Sequence, residues 1–285
     1  MDGMRAIVRC ALAIVGIAAS VFVAPGVSVA AANQPGGLAI ESIQPTPGQV
    51  VGVAHPIVVT FPSPVHNRLA AERALNIESA PVMTGRYEWL GDEVVQWVPD
   101  EFWPAHSTVA LSVGGRKTNV VTGPKVVGVA SVADHTFTVT IDGVQAGPPT
   151  ALPAPHHRPN WGQEGVFPAS MGRPKYPTPV GIYTVLAKER DVTMDSSTVG
   201  IPVNSPDGYH MTVAHAVRFT RRGLFVHSAP WAVNSLGNAN VSHGCISLSP
   251  EDAEWYFNTV NIGDPIIVRE NSLEVPSAPV MGRAY

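Results

Sequence analysis

The stretch "NVSHGCISLSP" (240–250) places Cys245 directly after His243 and Gly244. A cysteine attacks as its thiolate, so it needs a nearby base or cation, and hydrogen-bond donors for the oxyanion that forms. Gly244 permits unusual backbone angles and close substrate approach; its amide and that of Cys245 are candidate oxyanion donors. Upstream, His227 ends the apolar run of "LFVHSAP" (224–230), where a strand can project an imidazole into a cleft. No acid lies beside it, so a backbone carbonyl such as that of Ser228 is the simplest partner to fix its tautomer. Two other readings compete. A lone cysteine is often buried and inert. Zinc on His227, His243 and Cys245 lacks the usual paired-cysteine spacing and an obvious fourth ligand, so no metal and no cofactor is expected. His210 and His215 read as surface residues.

The elements that must hold these residues are mostly strands. From Leu38 to about Leu111, apolar runs with turn residues between them recur at short spacing, as in a small β-sandwich. Trp89, Trp97 and Trp103 read as packing anchors. "HNRLAAERAL" (66–75) suits one or two helical turns, and "GGRKTNVVTGPK" (114–125) reads as a turn-rich connector between domains. "VVGVASVADHTFTVTIDGV" (126–144) predicts two strands about a turn at 133–135, then a hairpin at Asp142-Gly143. The Pro-rich 145–165 reads as a surface loop, with His156 and His157 solvated in it. The irregular stretch 190–223 reads as a lid or substrate loop. "SPEDAEWYFNTVNIGD" (249–264) predicts a helix capped by Ser249, with Pro250 in its first turn and acidic residues at the positive end of its dipole.

Composition bounds the rest. The chain has 285 residues, 45% hydrophobic and 14% charged, which suits a packed core and excludes a disordered chain. The formal net charge is -4 and no Lys/Arg block exists, so nucleic-acid binding has no electrostatic footprint. The 27 prolines and 26 glycines favour strands and turns over long helices. Arg5 and Arg9, the apolar run 11–24, Pro25 and small residues up to Ala32 form an export signal, with an uncleaved membrane anchor as the alternative. Cleavage would remove Cys10 and leave Cys245 as the only thiol.

The segment "HSAPWAVNSLGNANVSHGCISLSP" resembles the active-site signature of the L,D-transpeptidases, and "FPASMGRPKYPTPVGIYTV" and "MDSSTVGIPVNSPDGY" resemble the mycobacterial-type catalytic domain. "GVAHPIVVTFPSPV" and "VVQWVPDEFWPAHSTV" resemble the immunoglobulin-like domain that precedes it. The resemblance implies a mostly β protein. Its expected parts are a signal peptide (1–32), an immunoglobulin-like β-sandwich (33–120), a β-rich catalytic domain with a short helix after the nucleophile (121–270) and a tail (271–285). It also implies an exported enzyme of the cell wall or periplasmic space, which an uncleaved signal segment would tether to the membrane. Cys245 would attack the third residue of a peptidoglycan stem peptide, diaminopimelate, releasing D-Ala and leaving a thioester. The side-chain amine of another stem would then take the acyl group, giving a 3→3 cross-link. His227 would move the protons, Ser228 would orient it through its carbonyl, and His243 would shape the pocket. Tyr209 would sit over the acyl site, Met194 would line the donor channel, and Arg222 and Gly223 would contact substrate on a strand edge. Carbapenem β-lactams are the expected covalent inhibitors.

One position departs from the pattern. The usual Asn two residues after the cysteine is Ser247, which is shorter and carries one hydroxyl. The alternatives are an L,D-carboxypeptidase, with water as acceptor, and a wall-binding module with an impaired site.

Overall fold

The structure, a computed structural model, describes residues 38–148 and 165–271. The expected signal segment with Cys10, the loop histidines His156 and His157, and the tail after residue 271 lie outside the described residues.

The first domain is a sandwich of two four-stranded sheets. One sheet holds β1 (Ser42–Gln44), β3 (Ile57–Thr60), β6 (Val94–Pro99) and β5 (Gly85–Trp89), all antiparallel. The other holds β2 (Val50–Val51), β8 (Arg116–Thr122), β7 (Thr108–Val113) and β4 (Glu78–Ala80). Between them Ile57, Val59, Val95, Trp97, Val109, Leu111, Val113 and Val120 form one apolar core. Trp103 is buried and its indole N–H donates to the His55 carbonyl at 2.8 Å, so its one polar atom is satisfied. Helix α1 (Arg68–Leu75) is capped by the Asn67 side chain on the Ala70 amide and buries Ala71 and Leu75. The expected connector at 114–125 is not one. Residues 116–122 are β8, which pairs with β7 and in parallel with β2. Its Arg116 and Lys117 are exposed while Val120 and Thr122 are buried, so a polar beginning conceals a strand.

The second domain begins with β9 (Val126–Ser131) and β10 (Thr136–Ile141), followed by β11 (Val144–Gln145) and β12 (Val166–Pro168). With β13 (Gly181–Thr184) and β18 (Pro265–Arg269) they form a six-stranded sheet, in which β18 runs parallel to β9. A second sheet has the order β14 (Ala187–Asp195), β15 (His210–Arg218), β16 (Phe225–Ser228), β17 (Ile246–Leu248). Much of the expected irregular lid is therefore a long hairpin of β14 and β15; its tip, 196–209, opens with a short 3-10 turn (Ser196–Val199), and residues 219–223 form the turn that follows β15. The half-exposed strands of this hairpin lack the alternation that marks a strand in sequence. Helix α2 (Pro250–Thr259) carries the expected cap, with Ser249 Oγ accepting from the Asp252 amide at 3.1 Å. It packs Ala253, Tyr256 and Phe257 into a core shared with Phe137, Phe167, Val226, Ile246 and Leu248.

A backbone seam joins the two domains. The Gly52 amide donates to the Ile262 carbonyl and the Ala54 amide to the Gly263 carbonyl, each at 2.8 Å. A Cβ on Gly52 would fall 2.0 Å from the Asp264 nitrogen, so only glycine fits this approach. Asp264 is fully buried behind the seam and accepts from the Asn261 amide at 2.7 Å. Burial raises its carboxyl to about 7, against the lowering effect of amides from Asn261, Val53 and Val126. In the unfolded chain the same group titrates near 3.8. The folded state therefore favours the protonated form, and this stabilisation is lost as pH rises from about 4 through about 7, on the order of 4 kcal/mol in all. Asp264→Asn should gain stability relative to wild type as pH increases across that window. Urea midpoints of both proteins at pH 5 and pH 8 check this; a constant difference would refute the titration.

Candidate active site

Two short parallel strands place the reactive residues. Val226 pairs with Ile246, His227 with Ser247 and Ser228 with Leu248. Side chains alternate along a strand, and Val226, Ile246 and Leu248 enter the core. The other face carries His227, Cys245 and Ser247 into a cavity of about 220 Å³. Met194, Tyr209, Met211, Val213, Trp231 and His243 complete most of its wall.

The imidazole of His227 is 4% exposed, and its Nδ1 lies 2.8 Å from the Ser228 carbonyl oxygen. A carbonyl only accepts, so Nδ1 carries the proton and Nε2 keeps a free lone pair. Burial holds this histidine below its ordinary value, outweighing the Ser228 hydrogen bond. Trp231, itself 52% exposed, stacks on the ring with centroids 6.0 Å apart. Cys245 is the one free cysteine among the described residues and is partly exposed. It packs beside Val213, Ala216 and Phe225. Burial pushes its thiol up to about 11, against a lowering hydrogen bond from the Phe225 backbone. Base and thiol are therefore both uncharged at neutral pH.

The turn before Cys245 is held from two sides. Gly244 has φ +117, and a Cβ there would meet Leu224 Cδ2 at 3.0 Å. Its carbonyl accepts from Thr178 Oγ1 at 2.9 Å, and the same hydroxyl accepts from the Gly172 amide at 2.9 Å. Ser242 Oγ donates to the Cys245 carbonyl at 2.7 Å and accepts from the Gly244 amide at 3.1 Å. The expectation that the Gly244 amide faces an oxyanion is thus corrected, because Ser242 already occupies it. Ser247 is 3% exposed, and its backbone makes a two-way bridge with Ser170.

The other expected site residues divide. Met194 and Tyr209 line the cavity, and the Tyr209 ring lies 4.9 Å from that of His243. Arg222 and Gly223 are not on a strand edge: they lie in the turn between β15 and β16, where the Gly223 amide donates to the Thr220 carbonyl. Neither lines the cavity. Glycine suits that turn because φ is +89 at residue 223. His210 is exposed, but His215 is not simply a surface residue, since its Nδ1 is buried and its ring packs on Phe257. No group of three or more potential metal ligands occurs among the described residues. Sequence reasoning missed Thr178, Ser242 and Arg173. Thr178 sits in "PTPV", where prolines signal a turn without revealing that the hydroxyl between them points inward.

A thiol and a neutral imidazole of fixed tautomer, facing one mostly apolar cavity on a β scaffold, define a cysteine-dependent acyltransferase. The family description "L,D-transpeptidase catalytic domain" matches residues 152–268, and "Bacterial Ig domain" matches residues 28–119. The chain is 65% identical over 271 residues to the probable L,D-transpeptidase 3 of Mycobacterium tuberculosis, covering 94% of this chain and 100% of that one. It is 46% identical over 270 residues to L,D-transpeptidase 1 of the same organism, covering 93% and 99%. The crystal structure of L,D-transpeptidase 3 superposes with a TM-score of 0.78 at 68% identity, over 82% of this chain and 100% of that chain. A second structure of that protein, with a faropenem-derived adduct, gives a TM-score of 0.77 at 66% identity, over 82% and 99%. The chain belongs to the L,D-transpeptidase family.

Thr178→Val would keep the shape and leave a buried carbonyl and amide without partners, at a cost of about 2 kcal/mol. The melting temperature should fall by roughly 4–8 °C for a protein of this size, and turnover should fall further as the turn before Cys245 loosens. Calorimetry alongside steady-state kinetics checks both.

Proposed function

We propose that Cys245 is the nucleophile and His227 the base of a peptidoglycan L,D-transpeptidase that forms 3→3 cross-links. The observation that carries this is the shared face of β16 and β17, which turns both side chains into one cavity. The resting pair is uncharged, so the thiol proton passes to His227 Nε2 as sulfur attacks the carbonyl of the third stem residue. The new C–S bond gives a tetrahedral oxyanion, for which the Cys245 amide is the proposed donor. On collapse the C–N bond to D-Ala breaks, and the leaving amine takes the proton from His227. A thioester remains. The side-chain amine of an acceptor diaminopimelate then attacks it, giving its proton to His227. As the C–S bond breaks, that proton returns to sulfur. Ser228 orients the base through its carbonyl, and His243 and Tyr209 wall the acyl site. Met194 lines the donor side, and Ser247 contacts the acyl chain through its hydroxyl. The Arg222–Gly223 turn meets only the part of a substrate that extends beyond the cavity.

The stem peptides are the proposed partners, and β-lactams the proposed covalent inhibitors. The faropenem-derived adduct of the 65%-identical relative supports the second. Export to the cell wall is proposed from the sequence of residues 1–32. No helix among the described residues is long and apolar enough to cross a membrane.

A carbapenem should add its mass to the protein, and Cys245→Ala should carry no adduct; intact-protein mass spectrometry reads both. A native protein that stays unmodified would count against the assignment. Formation of cross-linked dimers from tetrapeptide stems separates the transpeptidase from a carboxypeptidase. Because His227 titrates below its ordinary 6.5, the acid limb of the kcat/KM–pH profile should have its midpoint below that value. Activity is lost on the acid side as the base becomes protonated. A midpoint above 6.5 would assign the base elsewhere.

A further inference from the structure

None of the cavity-lining residues is a lysine or arginine. Yet the donor in the reaction proposed above ends in D-Ala, whose carboxylate sits next to the bond that breaks. A carboxylate brought to an apolar wall requires a counter-charge. One cation reaches that wall from behind. Arg173 Nη2 donates to His243 Nε2 at 2.8 Å, and His243 lines the cavity two residues before Cys245. The same Nη2 also contacts the Asp207 carboxylate. Asp207 further accepts from Lys175 Nζ at 2.5 Å and from the Tyr176 hydroxyl at 3.2 Å. Asp207 stands at the tip of the β14–β15 hairpin, two residues before Tyr209. In this arrangement a carboxylate of the chain itself already occupies the anion position beside the cavity.

The ion pair is suited to exchange. The side chains of Arg173, Asp207 and Lys175 are 30%, 24% and 65% exposed. The Arg173–Asp207 pair is partly exposed, so solvent and a second carboxylate can reach it, while Lys175 is largely in solvent and adds little net stability. A planar guanidinium can hold a second carboxylate through two parallel hydrogen bonds, which a lysine cannot.

We propose that Arg173 recognises the terminal carboxylate of the donor stem, and that Asp207 holds its place in the empty enzyme. Donor binding then exchanges one carboxylate for another at Arg173, while Asp207 keeps Lys175 and the Tyr176 hydroxyl as partners. The inference rests on the transpeptidase reading, and its test separates the two.

Steady-state kinetics on a tetrapeptide donor with a free C-terminus and on its C-terminal amide decide it. The wild type should show a KM for the free acid about tenfold below that for the amide, as the loss of a charge-assisted hydrogen bond implies. Arg173→Met should raise the KM of the free acid about tenfold more than that of the amide, since any effect through His243 is common to both donors. Arg173→Lys, which keeps the charge, should retain part of the preference. Asp207→Asn removes the competitor and should lower the KM of the free acid, so the proposal is tested even if the methionine variant does not fold. Equal KM values for both donors in the wild type would overturn the carboxylate recognition while leaving the activity intact. An Arg173→Met effect on kcat alone, the same for both donors, would make Arg173 only a support for His243 and also overturn it. A wild type that turns over neither donor would overturn the activity and this proposal with it.

Discussion

The site depends on the parallel ladder between β16 and β17. Strands two or three pairs long add little stability by themselves, but their register is pinned because one face is buried. A slip of one residue would turn His227 into the hydrocarbon core and expose Ile246 or Val226. The apolar side chains that hold the register are therefore also what aims the imidazole and the thiol. Ile246 and Leu248, both wholly buried, define the face on which Cys245 and Ser247 lie. The cap on α2 follows at once, so core, thiol and helix start are packed into ten consecutive residues, 245–254.

Around that ladder, backbone groups do most of the positioning. The Ser228 carbonyl fixes the tautomer of the base, and Thr178 and Ser242 brace the turn at Gly244. Each of these bonds uses a small hydroxyl or a main-chain atom, and Met194, Met211, Val213, Val241, Trp231 and Tyr209 supply much of the remaining cavity wall. An apolar wall keeps both reacting groups neutral at rest. The proposed attack on that account couples carbon–sulfur bond formation to transfer of the thiol proton to His227. The shorter Ser247 fits this economy, since its main chain is committed to Ser170 while the residue lines the cavity.

The parts readable from sequence are those written locally. The helix at 250–259 carries its own cap and proline, and the strands of the sandwich alternate or run apolar between turns. The thiol and the imidazole were visible because their immediate neighbours are informative. What stayed hidden depends on distant partners. The polar opening of β8 looked like a linker because Arg116 and Lys117 face solvent, and only pairing with β7 and β2 makes it a strand. The β14–β15 hairpin looked irregular because both strands are partly exposed on each face. Asp207 and Arg173 are 34 residues apart, and nothing in either neighbourhood announces the other. Arg222 and Gly223 were placed on a strand by likeness, whereas a turn closed on Thr220 is where their backbone angles belong.

The elevated thiol has one more consequence. Peroxides, adventitious disulfides and simple alkylating agents react with thiolate, and at neutral pH a thiol held at about 11 supplies very little of it. Reagents that need a standing thiolate therefore find little of it at Cys245 at rest, whatever their access to the cavity.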